Sequence, residues 1–397
     1  MVDHRKLGRE LELFHSDPLI GAGLPVWLPA GAAARHAVEE YLREQERLAG
    51  YEHVYSPPMA KRELFERSGH LAKFGDDMFP GMPDGDSELM LRPSLCPQHA
   101  LVFAARGRSY RDLPLRIAEL GGMYRAERSG VVGGLSRVRS IWLNDAHIFC
   151  ALDQVGDEVA AVLRLMRRVH AALGLVPYRF RLSLRGQSIL GSPADWDRAE
   201  DFLRQALVAE GIDYYEAPGE AAFYGPKIDV QMLDSAGREW SLATVQIDFA
   251  QPERFGLEYV DAQGNRQRPV MVHRSLAGSM ERLFAMLIEI HEGAFPAWYA
   301  PVQLAIAPVG EAQHDYAYEF AASARRAGLR VDLLADGSVG LRVREAIQRK
   351  IPYAAVIGAR EVSSGNVSLR RRDGSELPPQ SREEAIGEIL RKKPSNE

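Results

Sequence analysis

Hydrophobic residues along this chain switch between helical spacing, strand alternation and polar breaks, and the order of those patterns predicts its elements. Residues 6–14 set Leu7, Leu11, Leu13 and Phe14 among charged neighbours, which predicts an opening helix. Residues 18–29 read as loop, and residues 30–49 as a strong helix stopped by Gly50. A strand is expected at 51–55, ended by Pro57-Pro58. Residues 115–149 predict two strands around a Gly/Ser loop at 129–136, and helices follow near 153–173 and 196–210. Residues 221–249 are strand-rich, with hairpin signals at Asp234-Ser235-Ala236-Gly237 and at 261–265. A strand at 269–273 then feeds an apolar-periodic helix over 277–293.

After the Pro- and aromatic-rich stretch 296–301 the pattern changes. Strands at 302–306, 330–334, 353–357 and 366–371 alternate with helices at 311–327 and 341–350, which predicts a separate α/β unit with its own core. The expected division is therefore 1–300 and 301–397. No internal repeat or low-complexity tract interrupts either part. Neither a G-x-G-x-x-G turn after a strand nor a G-x-x-x-x-G-K-[ST] loop is present, and the glycines from Gly130 to Gly134 lie between two strands. Any nucleotide must be held without those loops.

Composition narrows the class. A 46% hydrophobic and 26% charged chain of 397 residues is that of an ordinary globular protein. No apolar run approaches bilayer length, and the opening residues carry no hydrophobic signal core. Two cysteines, Cys96 and Cys150, argue against a disulfide framework and for a reducing, cytoplasmic setting. A net charge of −5 means that a nucleic-acid partner needs a local basic face.

Candidate chemistry sits in short constellations. On a strand, Arg125 and Glu127 would point to one face, where they could hold a phosphate and an adenine or ribose donor. A plain same-face ion pair is the commoner fate of such residues. Arg137 and Arg139 add cations suited to a polyphosphate. Arg282 follows Gly278-Ser279 at the start of a helix. Cys96-Pro97-Gln98-His99 and His147-Ile148-Phe149-Cys150 both have metal-like spacing, and read locally they suggest a site of Cys96, His99, His147 and Cys150.

Taken together, these motifs resemble the class II aminoacyl-tRNA synthetases. Arg125 with Glu127 looks like their second motif, Arg282 their third, and Pro57 the proline of their dimer-forming first motif. Asp3-His4-Arg5-Lys6-Leu7-Gly8, Asp145-Ala146-His147-Ile148-Phe149, Ala222-Phe223-Tyr224-Gly225-Pro226-Lys227-Ile228-Asp229 and Gly278-Ser279-Met280-Glu281-Arg282 resemble the threonyl-tRNA synthetases, in the same order over nearly the whole chain. The resemblance implies an α+β catalytic domain, an antiparallel sheet flanked by helices, followed by a smaller α/β anticodon-binding domain.

It implies further a ligase that makes threonyl-adenylate from L-threonine and Mg-ATP, transfers the threonyl group to tRNA(Thr), and works as a cytoplasmic homodimer. One zinc ion per subunit would be held by Cys96, His147 and His273, which makes His99 and Cys150 structural. Zinc would select threonine by its hydroxyl, where a purely apolar pocket rejects such an isostere by only ~100-fold. Asp145, Tyr224 and Gln246 would line the amino-acid pocket. Arg125, Glu127, Arg137, Gln246, Ser279 and Arg282 would bind ATP, with Arg125 on the α-phosphate and Arg137 and Arg282 on the outer phosphates or adenine. Lys227 matches an active-site position without an assigned step, and Glu361 and Arg370 match anticodon contacts.

Several positions depart from the pattern. Ser94-Leu95 replace a Met-Asn pair, Ile141 stands near where relatives carry an adenine-stacking aromatic, Ala250-Gln251 replace Asn-Leu, and Ala335-Asp336-Gly337-Ser338 replace a base-reading stretch. The chain also starts at the helix that follows the N-terminal editing region of longer relatives, so the expectation is a core lacking that region, by trimming or by nature. These departures keep two other readings open: a specialised copy, inhibitor-resistant or serving a secondary pathway, and a tRNA-binding paralogue without catalysis.

Overall fold

The computed structural model describes residues 2–128, 130–187 and 189–394; of the loop expected at 129–136, Ser129 lies outside the described residues. Strands Leu115–Tyr124 and Ser140–Cys150 pair antiparallel from Leu115↔Phe149 to Tyr124↔Ser140. They belong to an eight-stranded sheet in the order Tyr214–Pro218, Arg179–Leu184, Lys227–Leu233, Glu239–Asp248, Val270–Ser275, Ser140–Cys150, Leu115–Tyr124, Glu52–His53. Pairing is antiparallel through the six inner strands and parallel at both edges. Register places Lys227, Gln246, His273 and His147 in one row across four strands. Opposed residues share a face, so this row sets the floor of a site.

Helix Val155–Leu173 buries Val159, Val162, Leu163, Met166 and Val169 and packs on strands Glu239–Asp248 and Val270–Ser275. It ends where Gly174 takes the left-handed conformation. Helix Pro193–Ala209, started by a Ser192 cap and a proline in its first turn, packs beside it.

The described chain divides into two compact units, Ser16–Pro25 with Leu42–Met286, and Val2–His15 and Val26–Tyr41 with the chain from Leu287 onward. In the second unit, parallel strands Val331–Leu333, Leu304–Pro308 and Tyr353–Ile357 are joined by antiparallel Leu369–Arg371. Its core gathers Leu304, Ile306, Phe320, Ile357 and Ile389. The architecture is the expected one, an antiparallel-rich α+β part and a smaller α/β part.

Local differences have local causes. The opening helix is His4–Glu10, capped by Asp3; Glu12 then adopts a positive φ of 52°, and Phe14 joins a two-residue strand with Val26–Trp27 instead of continuing the helix. The strand expected at 366–371 splits, because Asn366–Val367 pairs with Gln380–Ser381 while Leu369–Arg371 pairs with Tyr353–Ile357. Helices Cys96–Ala104, Ala359–Ser364 and Arg382–Leu390 and strands Arg179–Leu184 and Tyr214–Pro218 add to the predicted set.

Candidate active site

A cleft of about 370 Å³ opens over the sheet row described above. Cys96, Arg125, Glu127, Arg137, Asp145, His147, Tyr224, Lys227, Gln246, His273, Ser279 and Arg282 all line it. At one end, the ligand atoms of Cys96, His147 and His273 lie within 4.8 Å of one another, all three residues buried. Cys96 opens helix Cys96–Ala104, and the two histidines face each other in register on adjacent strands, His147 Nε2 2.9 Å from His273 Nδ1.

Each histidine is oriented through its other nitrogen. His273 Nε2 lies 2.8 Å from Asp248 Oδ2, while Asp248 Oδ1 accepts the backbone N–H of Ala250 and Gln251 at 2.7 and 2.9 Å. His147 Nδ1 lies 2.7 Å from His99 Nδ1, and His99 Nε2 lies 3.1 Å from Glu119 Oε2. Carboxylate-backed imidazoles of this kind are how proteins aim histidine at a metal. Burial pushes His147 well below the ordinary imidazole range, aided by His273 and His99, and so favours the neutral form a metal requires. Burial also raises the Cys96 thiol, against a hydrogen bond to Ser94 Oγ at 2.8 Å. One thiol and two aimed imidazoles, buried together, fit the soft-to-borderline donor set of zinc.

Asp145 precedes His147 by two on the same strand face, its Oδ2 3.9 Å from His147 Nε2. Burial pushes this carboxyl up to about 6, opposed by the charges of His99, His273 and Arg274. The Tyr224 ring lies 5.2 Å from that of His273. Gln246 Nε2 donates to Gly225 O at 2.6 Å; a Cβ on Gly225 would stand 1.9 Å from Ile247 O, so only glycine lets the chain close there. Lys227 Nζ donates to buried Asp229 at 2.9 Å, which also holds Arg181 and Ser183.

The other end of the cleft is cationic. Arg125 and Glu127 do not share a strand face, a correction to the sequence reading. The strand stops at Tyr124, and beyond it Arg125 N donates to Arg139 O and Ala126 N to Asp77 O. Glu127 is thereby turned to Arg137, with oxygen–nitrogen distances of 3.0 and 2.8 Å, and its backbone oxygen accepts from Arg139 Nε. Arg282 enters from helix Met280–Ile290, its backbone N–H capped by Ser279 Oγ at 3.1 Å. Gly278 makes this entry possible: its φ is 66°, and a Cβ would stand 2.4 Å from Leu242 O.

Cys150 stays apart, buried with its Sγ against Val270 O, so the local reading with Cys150 as a ligand is not what the geometry assembles. His99 touches His147 rather than joining the cluster. In the second unit, Glu361 uses its carboxylate to accept Gly358 N–H at 2.9 Å, capping helix Ala359–Ser364, while Arg370 is exposed on strand Leu369–Arg371. Sequence reasoning missed the supporting groups Asp248, Glu119 and Asp229. Asp248 was the most findable, two residues beyond Gln246 on one strand face.

The tRNA synthetase class II core domain (G, H, P, S and T) family matches residues 81–291, and the anticodon binding domain family matches residues 303–392. Threonine–tRNA ligase of Lactobacillus helveticus is 46% identical over 394 residues, covering 98% of this chain and 61% of that protein. That of Geobacillus kaustophilus is 47% identical over 375 residues, covering 93% and 58%. The solved RNA binding domain of threonyl-tRNA synthetase from Cryptosporidium parvum Iowa II is 34% identical with a TM-score of 0.94, over 99% of both chains. The chain thus spans 61% and 58% of the length of these two curated relatives.

Proposed function

The chain belongs to the class II aminoacyl-tRNA synthetases, and on that premise we propose that it activates L-threonine with ATP and transfers the threonyl group to tRNA(Thr). The observation that carries this reading is the single cleft that joins the Cys96–His147–His273 cluster to the arginines Arg125, Arg137 and Arg282.

Cys96, His147 and His273 would hold a zinc ion. Such an ion supplies a Lewis-acidic position that an amine and a hydroxyl can fill and a methyl group cannot. Asp145 accepts the substrate hydroxyl's proton, and Tyr224 and Gln246 close the amino-acid pocket. The threonine carboxylate attacks the α-phosphate of Mg-ATP, forming threonyl-adenylate and releasing pyrophosphate. Arg125 stabilises the charge on the α-phosphate, Arg137 with Glu127 and Arg282 with Ser279 hold the rest of the nucleotide, and the contribution is positioning plus electrostatics. In the second step a terminal ribose hydroxyl of tRNA attacks the adenylate carbonyl and AMP leaves. Lys227 faces the same cleft without an assigned step.

Residues 1–300 would form the catalytic part and 301–397 the anticodon-binding part, with Glu361 and Arg370 meeting splayed anticodon bases. The working unit would be a homodimer through the segment around Pro57, in the cytoplasm. Among the described residues no helix is long and apolar enough to cross a membrane.

The test is amino-acid-dependent ATP–pyrophosphate exchange. Exchange with threonine and serine but not valine is expected; none with any of the three overturns the proposal. One observation favours the specialised-copy reading as second choice: the departure Ser94 hydrogen-bonds Cys96 Sγ at 2.8 Å and lies 3.2 Å from His70 Nε2, so it sits directly on the cysteine. Normal threonine activation with weakened inhibition by a synthetase inhibitor would favour it.

A further inference from the structure

The cationic end of the cleft lacks an obvious base platform. Ile141 and Leu143 point into it, whereas Trp142 does not line it, and among the described residues Tyr224 is the only Phe, Tyr or Trp that does. Tyr224 is already against His273 at the opposite end. A guanidinium plane, which arginine offers and lysine does not, can then supply the stacking surface for a purine base.

Arg282 is the candidate plane, and among the described residues no carboxylate is bonded to its guanidinium. Burial and the like charges of Arg125 and Arg137 disfavour its cation, Glu127 opposes them from a distance, and the hydrogen bonds of its guanidinium go to carbonyls. Two carbonyls hold its edge, Ser136 O at 3.3 Å and Ser241 O at 3.2 Å. The indole of Trp240 supports its face, 5.2 Å from the guanidinium carbon. Trp240 is itself pinned, because its Nε1 donates to Asp234 Oδ2 at 3.0 Å. Arg238, bound to the same oxygen at 2.7 Å, lies 5.8 Å from the indole ring. Asp234-anchored Arg238 and Trp240 thus group with Arg282, of which Arg282 lines the cleft and Trp240 does not.

We propose that Trp240 is a positioning residue for nucleotide binding: it fixes the Arg282 guanidinium as the platform on which the purine base of the nucleotide stacks. The inference deepens the ATP-dependent reading and rests on it. An aromatic face behind the arginine favours its cation without the hydrogen bonds a carboxylate would demand, so donors stay free for phosphate and the plane stays flat for the base.

Trp240→Leu and Trp240→Phe test this, read by threonine-dependent exchange and by equilibrium binding of ATP without amino acid. The leucine variant is expected to raise the KM and Kd for ATP by about ten-fold, with KM for threonine and zinc content unchanged; the phenylalanine variant restores most of the loss. Trp240→Met serves if the leucine variant does not fold. An unchanged ATP Kd, or a loss equal for Phe and Leu, overturns the role of Trp240. Failure of the unsubstituted protein to bind ATP at all would instead sink the reading beneath it, and the inference with it.

Discussion

Asp248 shows how much of the site depends on one buried carboxylate. Its two oxygens do different work, one on His273 and the other on two backbone N–H groups. An amide has one acceptor and one donor edge, so Asp248→Asn can satisfy one side only and places donor against donor on the other. Zinc affinity, measured by chelator competition, is expected to fall about 10- to 100-fold in that variant, and an unchanged affinity would show that His273 is aimed by packing alone. Of the residues that meet in the cleft, Cys96, His147, Arg125, Arg137 and Arg282 stood out by type and spacing, whereas His273, Tyr224, Lys227, Gln246 and Ser279 were legible only through the family resemblance. Partners such as Glu119 and Asp229 were legible in neither way, because a carboxylate on a strand looks the same in sequence whether it backs a ligand or faces water. The Arg125–Glu127 reading failed for a related reason: two-residue spacing implies a shared face only while the strand lasts, and here it ends at Tyr124, before either residue.

Among elements, the buried runs were readable and the short capped ones were not. Strand Tyr353–Ile357 appears as expected because five residues of mostly apolar character leave little choice once they are in a core. Helix Ala359–Ser364 is only six residues between two glycines, and its stability comes from the Glu361 cap, which periodicity cannot reveal. The long helix Val155–Leu173 makes its own prediction. His170 lies buried with Nε2 2.8 Å from Leu276 O, which ties this helix to the turn before Arg282. Burial pushes its pKa down to about 4, against that backbone bond, from an ordinary value of 6.5. The unfolded chain therefore binds a proton that the folded one refuses between those values, so His170 favours folding above about pH 6.5 and that contribution is lost as pH falls toward 4. Between pH 7 and 5 the loss is on the order of 2 kcal/mol. Denaturant melts of the protein and of His170→Gln should show the variant losing less stability over that interval; equal losses would mean that other groups set the acid limit.

For the whole molecule, the division of labour follows from where the charges are. A chain of net charge −5 offers a polyanion no general attraction, so the proposed tRNA recognition would rest on local surfaces such as exposed Arg370 and the cationic end of the cleft. Family, fold class and the cleft's composition were legible in the sequence because motifs spaced over hundreds of residues had to converge on one sheet face. The grouping of the N-terminal segments with the C-terminal unit was not, because it depends on tertiary contacts with no local pattern. The measurement that bears most directly on the account is transfer of labelled amino acid to tRNA(Thr) by the purified protein, with threonine, serine and valine in parallel. Charging with threonine, some with serine and none with valine is the predicted result, since serine shares threonine's amine and hydroxyl while valine lacks the hydroxyl. No charging with any amino acid, or charging with valine as readily as threonine, would contradict it.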